Sequence, residues 1–206
     1  MPGLIGIKKG MTNIFTDDGR LIPVSVIETG PCYVYKIRTI EKDGYEAIQM
    51  GFGSKKKKKV NKAQLTEFKN LKLNPPRKLK EFRNFDVNTV KPGDEIKVDI
   101  FSEGDMVKVS GISKGKGFQG VMRRHGFGGV GGATHGQKDR LRHPGSIGQS
   151  SYPSRVLKGT KMAGRMGGDQ VTTKGLKIIK IIEDKNIIMV KGAIPGAVNS
   201  IVEINK

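Results

Sequence analysis

The stretch LIPVSVIETGPCYVYKIRTI, residues 21–40, decides the fold class. Its two halves, residues 21–29 and 32–40, are rich in Val, Ile and Tyr, which favour β-strands. The Thr-Gly-Pro sequence between them is typical of a turn. A third stretch of the same kind, residues 45–52, follows an Asp-Gly turn. The region therefore predicts three consecutive antiparallel strands, a meander.

Shorter strands are predicted on both sides of this meander. Residues 96–101 alternate in character, with Ile96, Val98 and Ile100 on one face and Lys97 and Asp99 on the other. Near the start of the chain, residues 4–8 can pair with residues 14–16 or with a later strand. The other predicted strands are residues 82–87, 106–112, 176–183, 187–190 and 201–204. Roughly nine short strands with few helices favour a mainly β protein with a small closed antiparallel barrel, because closure removes unpaired strand edges.

Positive charge is concentrated in two segments of the 206-residue chain, whose formal net charge of +19 points to a polyanionic partner. Residues 54–80 hold eleven Lys or Arg against one acidic residue, and residues 111–168 also hold eleven against one, so each segment carries +10. The remaining 121 residues hold 16 basic and 17 acidic side chains. The sequence thus predicts a basic helical insertion at 54–80, an extended basic loop at 111–168, and a barrel core from residues 1–53, 81–110 and 169–206.

Composition also excludes several classes of protein. No apolar run approaches the roughly 18 residues that a membrane-spanning helix needs, and residues 1–15 lack the apolar stretch of a signal peptide. We therefore expect a soluble, cytoplasmic protein without a membrane partner. One cysteine, Cys32, and three scattered histidines supply neither an intramolecular disulfide nor a zinc ligand set, so no metal is expected. Cys32 is predicted to be a small buried strand residue.

One glycine motif matches a nucleotide-binding fingerprint. Residues 115–120, GKGFQG, fit the pattern G-x-G-x-x-G, which binds a dinucleotide only between the first strand and the helix of a parallel βαβ unit. Asp139 has the spacing of the acidic partner, but it lies in Gly- and Arg-rich sequence with no strand before it. We therefore expect no cofactor and no small-molecule substrate. No nucleophile or carboxylate arrangement surrounds the histidines, so the chain is not predicted to be an enzyme.

The first basic segment opens with five consecutive lysines, residues 55–59. Because like charges repel, this run is not predicted to pack against the protein. It either forms a solvated surface loop or contacts phosphates. Asn61 is predicted to cap a helix over residues 62–71, whose apolar stripe would dock on the barrel, and the Pro-Pro sequence at residues 75–76 ends this segment's helix.

The second basic segment, residues 111–168, contains 16 glycines and almost no aliphatic periodicity, so it cannot build a core of its own. Such a stretch is either disordered or ordered by a partner. Its chemistry favours RNA, because Arg forks onto phosphates, Lys supplies point charges, and glycine lets the backbone approach an anionic surface. Planar side chains such as Tyr152 can stack on bases. Phe118 and Phe127 either do the same or anchor the loop to the barrel.

The candidate RNA-binding residues combine cations for phosphates with planar or amide groups for bases. They are Lys55, Lys56, Lys57, Lys58, Lys59, Lys114, Lys116, Phe118, Arg123, Arg124, His125, His135, Lys138, Arg140, Arg142, His143, Gln149, Arg155, Lys158, Lys161 and Arg165. With about 25 residues out and 25 back, the loop reaches at most about 80 Å, enough to enter the interior of a large RNA. We expect it to be mobile until RNA binds, because ordering it is entropically costly.

Several motifs are shared with one family of bacterial ribosomal proteins. They are GLIGIKKGMTNIF (residues 3–15), PVSVIETGPCYVYKIRT (23–39), YEAIQMGFG (45–53), VSGISKGKGFQGVMRRHGF (109–127), THG (134–136), PGSIGQ (144–149), KMAGRMGG (161–168) and VKGAIPGAVNS (190–200). Because these motifs run essentially from end to end, the chain closely resembles the large-subunit ribosomal proteins of the L-three (L3) family.

The resemblance implies a translation-protein-type barrel with a long inserted loop. It also implies a structural constituent of the large ribosomal subunit that binds 23S-type rRNA near its 3′ end and nucleates subunit assembly. The loop would extend toward the peptidyl transferase centre, and the neighbours would be the L-fourteen and L-nineteen ribosomal proteins. An alternative that satisfies the charge alone is a general RNA- or DNA-binding chaperone that acts outside the ribosome.

Overall fold

The structure is a computed structural model that describes residues 3–16, 18–83, 85, 89–132, 135, 136 and 138–206, without the side chain of Lys138. Within these ranges the chain forms twelve β-strands and three α-helices. The strands are β1 Gly3–Phe15, β2 Leu21–Thr29, β3 Cys32–Arg38, β4 Ala47–Phe52, β5 Lys78–Phe82, β6 Glu95–Ile96, β7 Met106–Ile112, β8 Phe118–Gln119, β9 Gly164–Arg165, β10 Gln170–Ile182, β11 Ile187–Lys191 and β12 Ile201–Asn205. The helices are α1 Ile40–Asp43, α2 Lys62–Asn70 and α3 Val121–His125.

The chain divides into two compact units. Unit 1 consists of Met1–Ile112 and Gln170–Lys206, and unit 2 consists of Ser113–Asp169. Strands β8 and β9 and helix α3 belong to unit 2, and every other strand and helix belongs to unit 1.

Six strands of unit 1 close into an antiparallel barrel in the order β1-β12-β7-β10-β11-β2, and β2 pairs back onto β1. Residues 3–7 of β1 pair with β12, and residues 6–15 pair with β2. The predicted mainly β fold with a small closed barrel is therefore confirmed. Residues 4–8 and 14–16 do not pair with each other, because residues 4–8 and 14–15 lie in one continuous strand, whose start pairs with a later strand.

The predicted three-strand meander is wrong at its first connection. Strand β2 pairs with β1 and β11, whereas β3 pairs with β4 and β6 in a separate four-stranded sheet of order β5-β4-β3-β6. Both edges of β2 are occupied within the barrel, so β3 leaves the barrel and finds its partners elsewhere. The second connection, from β3 to β4, is the antiparallel pair that the sequence predicted.

Three other predicted strands differ from the observed ones. The strand predicted at 176–183 begins earlier, at Gln170, where β10 starts its pairing with β7. Residues 98–100 form a 3₁₀ turn rather than a strand, and the amide of Phe101 donates to the carbonyl of Val98. The alternating burial still holds, with Ile96 and Val98 buried, because a single 3₁₀ turn keeps the polar side chains outside. The strand predicted at 82–87 ends at Phe82 and instead begins at Lys78, where it pairs with β4; residues 84 and 86–88 lie outside the described residues.

Helix α2 forms as predicted, but it docks on the four-stranded sheet and not on the barrel. Phe68 is buried, and its ring meets that of Tyr35 in β3 edge to face, with centroids 5.1 Å apart. The Tyr35 hydroxyl donates to the carbonyl of Asn74 at 2.6 Å, which holds the chain after the helix. Asn61 precedes the helix, but its side chain makes no capping hydrogen bond.

A single hydrophobic core unites the barrel and the four-stranded sheet. Leu4, Ile27 and Ile188 from the barrel are fully buried in the same cluster as Val34 and Met50 from the sheet. Apolar burial of this kind is the main favourable term in folding, so unit 1 has the means to fold by itself. Cys32 is buried in this cluster, as the sequence predicted.

Candidate nucleic-acid interface

Unit 2 begins and ends in a short two-stranded ribbon. Phe118 of β8 pairs with Arg165 of β9, and the amides and carbonyls at residues 116–117 exchange hydrogen bonds of 2.9 Å with Met166. Gly167 takes a positive φ of 74°, and a Cβ there would collide with the carbonyl of residue 114, so this position requires glycine. The ribbon holds together the two ends of an otherwise irregular segment.

A short helix and a side-chain brace hold the segment beyond the ribbon. Helix α3 ends at His125, and the next residue, Gly126, adopts the left-handed conformation that commonly terminates helices. The Arg124 guanidinium donates to the carbonyl of Met162 at 2.7 Å, and His125 Nε2 lies 3.0 Å from the same oxygen. Two side chains that the sequence assigned to RNA therefore also brace the protein. No sequence signal identifies this role, because the partner is a main-chain carbonyl 37 and 38 residues away.

Most candidate RNA-binding side chains are exposed to solvent. The exposed ones are Lys55, Lys56, Lys57, Lys58, Lys59, Lys114, Lys116, Phe118, Arg123, His135, Arg140, Arg142, His143, Gln149, Arg155, Lys158, Lys161 and Arg165. Arg124 and His125 are half-buried, and the side chain of Lys138 lies outside the described part of the chain. The exposed cations are free of packing constraints and can meet phosphates.

Planar side chains of unit 2 also face solvent. Phe118 is 78% exposed and Tyr152 is 87% exposed, so neither is anchored in a protein core. Phe127 is half-buried, with its ring 6.1 Å from that of His125. Exposed aromatic rings are costly in water and suit base stacking. Tyr152 is thus a further planar candidate, and it is more exposed than Phe118.

Unit 2 has almost no hydrophobic core. Among its described residues, Val121 is the single buried hydrophobic side chain. Residues 127–130 and 143–145 line a cavity of about 320 Å³, and among these described residues His143 is the one titratable side chain.

The lysine run of the first basic segment belongs to unit 1. Residues 57–59 form a 3₁₀ turn, and all five lysines of the run are exposed. The amide of Lys55 donates to the carbonyl of Pro75 at 2.8 Å, so the run starts from a fixed point on the protein. Its charges are therefore presented to solvent from a short loop and not from a free tail.

Comparison with known proteins identifies the family. Residues 53–186 match the model of the family described as ribosomal protein L3. Over 205 residues the chain is 51% identical to the large ribosomal subunit protein uL3 of Chloroherpeton thalassium, covering 99% of this chain and 98% of the relative. It is 50% identical, with the same coverage, to the large ribosomal subunit protein uL3 of Chlorobaculum tepidum. The chain belongs to the ribosomal protein L3 family.

This membership confirms the resemblance drawn from the sequence motifs. As an L3 protein, the chain is a structural protein of the large ribosomal subunit in the cytoplasmic ribosome, where it associates with large-subunit rRNA and ribosomal proteins, and it is not an enzyme. The nucleotides and the neighbouring proteins that it touches belong to the proposals below.

The glycine motif at residues 115–120 has no nucleotide-binding context in this L3 protein. It runs into β8, which pairs antiparallel with β9, so the parallel βαβ unit of a dinucleotide site is lacking at this point. Across the described residues, no three His, Cys, Asp or Glu side chains are grouped as metal ligands. In the same part of the chain, no helix has the length and apolarity to cross a membrane.

Proposed function

We propose that this L3 protein binds 23S-type rRNA directly, near its 3′ end, through residues 54–80 and unit 2, and that this binding nucleates assembly of the large subunit. One observation carries the proposal: unit 2 combines exposed cations with a nearly absent core. A segment of this kind gains its order from a polyanionic surface and not from its own packing. Membership in a ribosomal family supports RNA as that polyanion.

The mechanism is phosphate neutralisation by a shaped segment. Residues 111–168 carry a net charge of +10, which would release counterions from RNA helices that otherwise repel each other. Arginines such as Arg140 and Arg142 can bind phosphates in a bidentate manner, whereas the lysines act as point charges. Phe118 and Tyr152 would stack on unpaired bases and fix the register of the segment on the RNA.

The finer placement follows from the same proposal. Unit 2 would reach between rRNA helices toward the peptidyl transferase centre, while the barrel sits at the subunit surface. The L-fourteen and L-nineteen ribosomal proteins would be its neighbours there. Charge segregation supports this division, because residues outside the two basic segments carry nearly equal numbers of basic and acidic side chains.

Deleting residues 126–142 tests the proposal. We expect the variant to keep the thermal unfolding of the full chain, because the core of unit 1 is untouched, and to enter large subunits poorly on a sucrose gradient. The control is a variant with Arg140→Gln and Arg142→Gln, which keeps the full chain length and removes only two charges. It should show a smaller loss of incorporation into large subunits. A deletion variant that fails to fold, or one that assembles normally, would contradict the proposed division of labour.

A salt wash separates this proposal from the chaperone alternative. A structural constituent of the subunit stays with it on a salt-washed gradient, because many contacts hold it. A general chaperone outside the ribosome would be released by the same wash, since it is not built into the subunit and its fewer phosphate contacts are weakened by salt.

A further inference from the structure

A cavity of about 340 Å³ lies within unit 1, between the edge strand β5 and the barrel strands β7, β10 and β12. Arg77, Lys78 and Lys80 line one side, and Gln170, Asn199 and Glu203 line the other. The cations come from the end of the first basic segment, and the amides come from the barrel. The sequence did not predict this juxtaposition, because its members are about a hundred residues apart along the chain.

The cavity carries an excess of positive charge. Its acidic group, Glu203, is largely shielded from solvent and pairs with Lys80 at 3.2 Å. Arg77 and Lys78 are exposed, and neither makes an ion pair within the residues that the structure describes. Two positive charges are therefore available to a ligand.

The barrel side of the cavity is held rigidly before any ligand arrives. Asn199 adopts a positive φ of 64°, and its main-chain amide donates to the carbonyl of Lys8 at 2.7 Å. The Lys8 ammonium, 8% exposed, donates to the carbonyls of Ile194 at 2.8 Å and Gly196 at 3.1 Å. These bonds hold the loop before β12 in place. The side-chain amide of Asn199 therefore extends from a fixed backbone.

The backbone that carries Arg77 and Lys78, on the opposite side of the cavity, is also held in place. The main-chain amide of Arg77 donates to the carbonyls of Phe52 at 3.0 Å and Gly53 at 3.3 Å, which fixes the entry to β5. Residue 78 is then aligned by its pairing with Phe52 in β4. The backbone positions of Arg77 and Lys78 are therefore set, and their side chains are exposed to solvent.

We propose that this cavity is an RNA-binding site of the barrel unit, in which Arg77, Lys78, Gln170 and Asn199 hold the phosphodiester backbone of large-subunit rRNA. The inference rests on the proposed function, since it assumes that the chain binds rRNA directly. Arg, Lys, Asn and Gln are among the side chains that hydrogen-bond nucleic-acid phosphates and sugars. The cations continue a segment of +10, a charge density that matches a polyanionic backbone better than the few carboxylates of an acidic protein.

Charge removal on the full chain tests the site, with a transcript of large-subunit rRNA as the probe. Arg77→Gln with Lys78→Gln should weaken binding about five- to tenfold near 0.1 M salt and lower the slope of log K against log salt by about 1.5. The matched control, Lys177→Gln with Lys180→Gln, removes two exposed lysines of β10 and should bind within about twofold of the unchanged chain. Thermal unfolding of all three proteins confirms that they are folded.

The outcomes separate the two proposals. An unchanged chain that does not bind the transcript would contradict the proposed function itself. If the unchanged chain binds the transcript, the affinity of the Arg77/Lys78 variant decides. An affinity equal to that of the unchanged chain or of the Lys177/Lys180 control would show that the cavity is not an RNA site. Preferential loss in the Arg77/Lys78 variant supports the site.

A tethered cleavage reagent gives a second measurement that does not depend on affinity. The chain has one cysteine, the buried Cys32, so Gln170→Cys creates an accessible thiol at the cavity for a hydroxyl-radical source. In assembled large subunits we expect cleavage within a short rRNA stretch, and Lys185→Cys should cleave elsewhere. Absence of a local cleavage pattern from the cavity, or crosslinking of that thiol mainly to an acidic protein, would overturn the proposal.

Discussion

Unit 1 fully buries side chains such as Leu4, Ile27, Ile178 and Ile188, whereas Val121 is the single buried hydrophobic residue among the described residues of unit 2. Ordering a residue costs roughly 1–2 kcal/mol of conformational entropy in either unit. Unit 1 offsets this cost by apolar burial. Unit 2 has little of that term, so hydrogen bonds such as the Met162 brace contribute more of its order. Under the proposed function, bound rRNA supplies the rest.

In this chain, the residues that form the core and the residues proposed to bind RNA lie in different segments of the sequence. The residues outside the two basic segments are nearly neutral and make the core, while the segments carry the excess positive charge. The proposed cavity qualifies this separation, because there the end of the first basic segment meets barrel residues.

Removing core volume should affect unit 1 far more than unit 2. Ile188→Ala leaves a cavity in the barrel and should lower the free energy of unfolding by about 2–5 kcal/mol. The matched control is Ile147→Ala in unit 2, where the side chain is 46% exposed, and it should change that free energy by less than about 0.5 kcal/mol. Urea denaturation measures both. Similar losses in the two variants would break the contrast.

The rate of Cys32 alkylation is a second measure of how far Ile188→Ala destabilises the core of unit 1. Burial raises the pKa of this thiol to about 11, so the native chain holds very little thiolate near pH 8. Labelling should therefore require opening of unit 1 and should accelerate in Ile188→Ala but not in Ile147→Ala. Rapid labelling of the unchanged chain would show that the core opens without unfolding.

Removing the brace should loosen unit 2 without affecting unit 1. Arg124→Ala deletes the bond to the Met162 carbonyl, whose loss should cost about 1 kcal/mol of local stability. Amide hydrogen exchange in residues 162–166 should increase, while the thermal unfolding of unit 1 stays constant. Arg123→Ala is the neighbouring control, because among the described residues this exposed side chain makes a single long hydrogen bond, to Gln119. Equal exchange in the two variants would argue against the brace.

The smallest effect is expected at a surface ion pair of unit 1. A hydrogen bond from Lys206, and then one from the Ser102 amide, lower the pKa of the Asp105 carboxyl. A lowered native pKa means that the carboxylate stabilises the fold above its ordinary pKa, and that this stability is lost as pH falls through the native value. Asp105→Asn should therefore flatten the decline of stability below about pH 4. Lys206→Gln should act in the same direction, and an unchanged decline in both would contradict the pairing.

Several elements could be predicted because their signals are local. The strands at 106–112, 187–190 and 201–204 match β7, β11 and β12 within one residue, since alternating or apolar short runs report burial directly. The alternation at residues 96–101 placed Ile96 and Val98 on one face, and both are buried, although the backbone there is a 3₁₀ turn in part. A two-residue alternation marks which side chains are inside without specifying the backbone that carries them.

The residues of the candidate site also fall into those that the sequence could predict and those that it could not. The exposed cations could be chosen from composition, because a Gly-rich segment has nowhere to bury them. The brace at Arg124 and His125 could not, because a main-chain carbonyl accepts hydrogen bonds without any sequence signature. Whether each exposed candidate touches RNA stays a prediction.

By itself, the amino-acid sequence determined that this chain is mainly β, that its charge lies in two segments, and that its motifs are those of the L3 family. Only the tertiary structure decided that β2 stays in the barrel while β3 leaves it, and that Arg77 and Lys78 share a cavity with Gln170 and Asn199. The physical reason is that composition and periodicity are local properties. Strand pairing depends on which distant edge is still unoccupied once the other strands have closed the barrel.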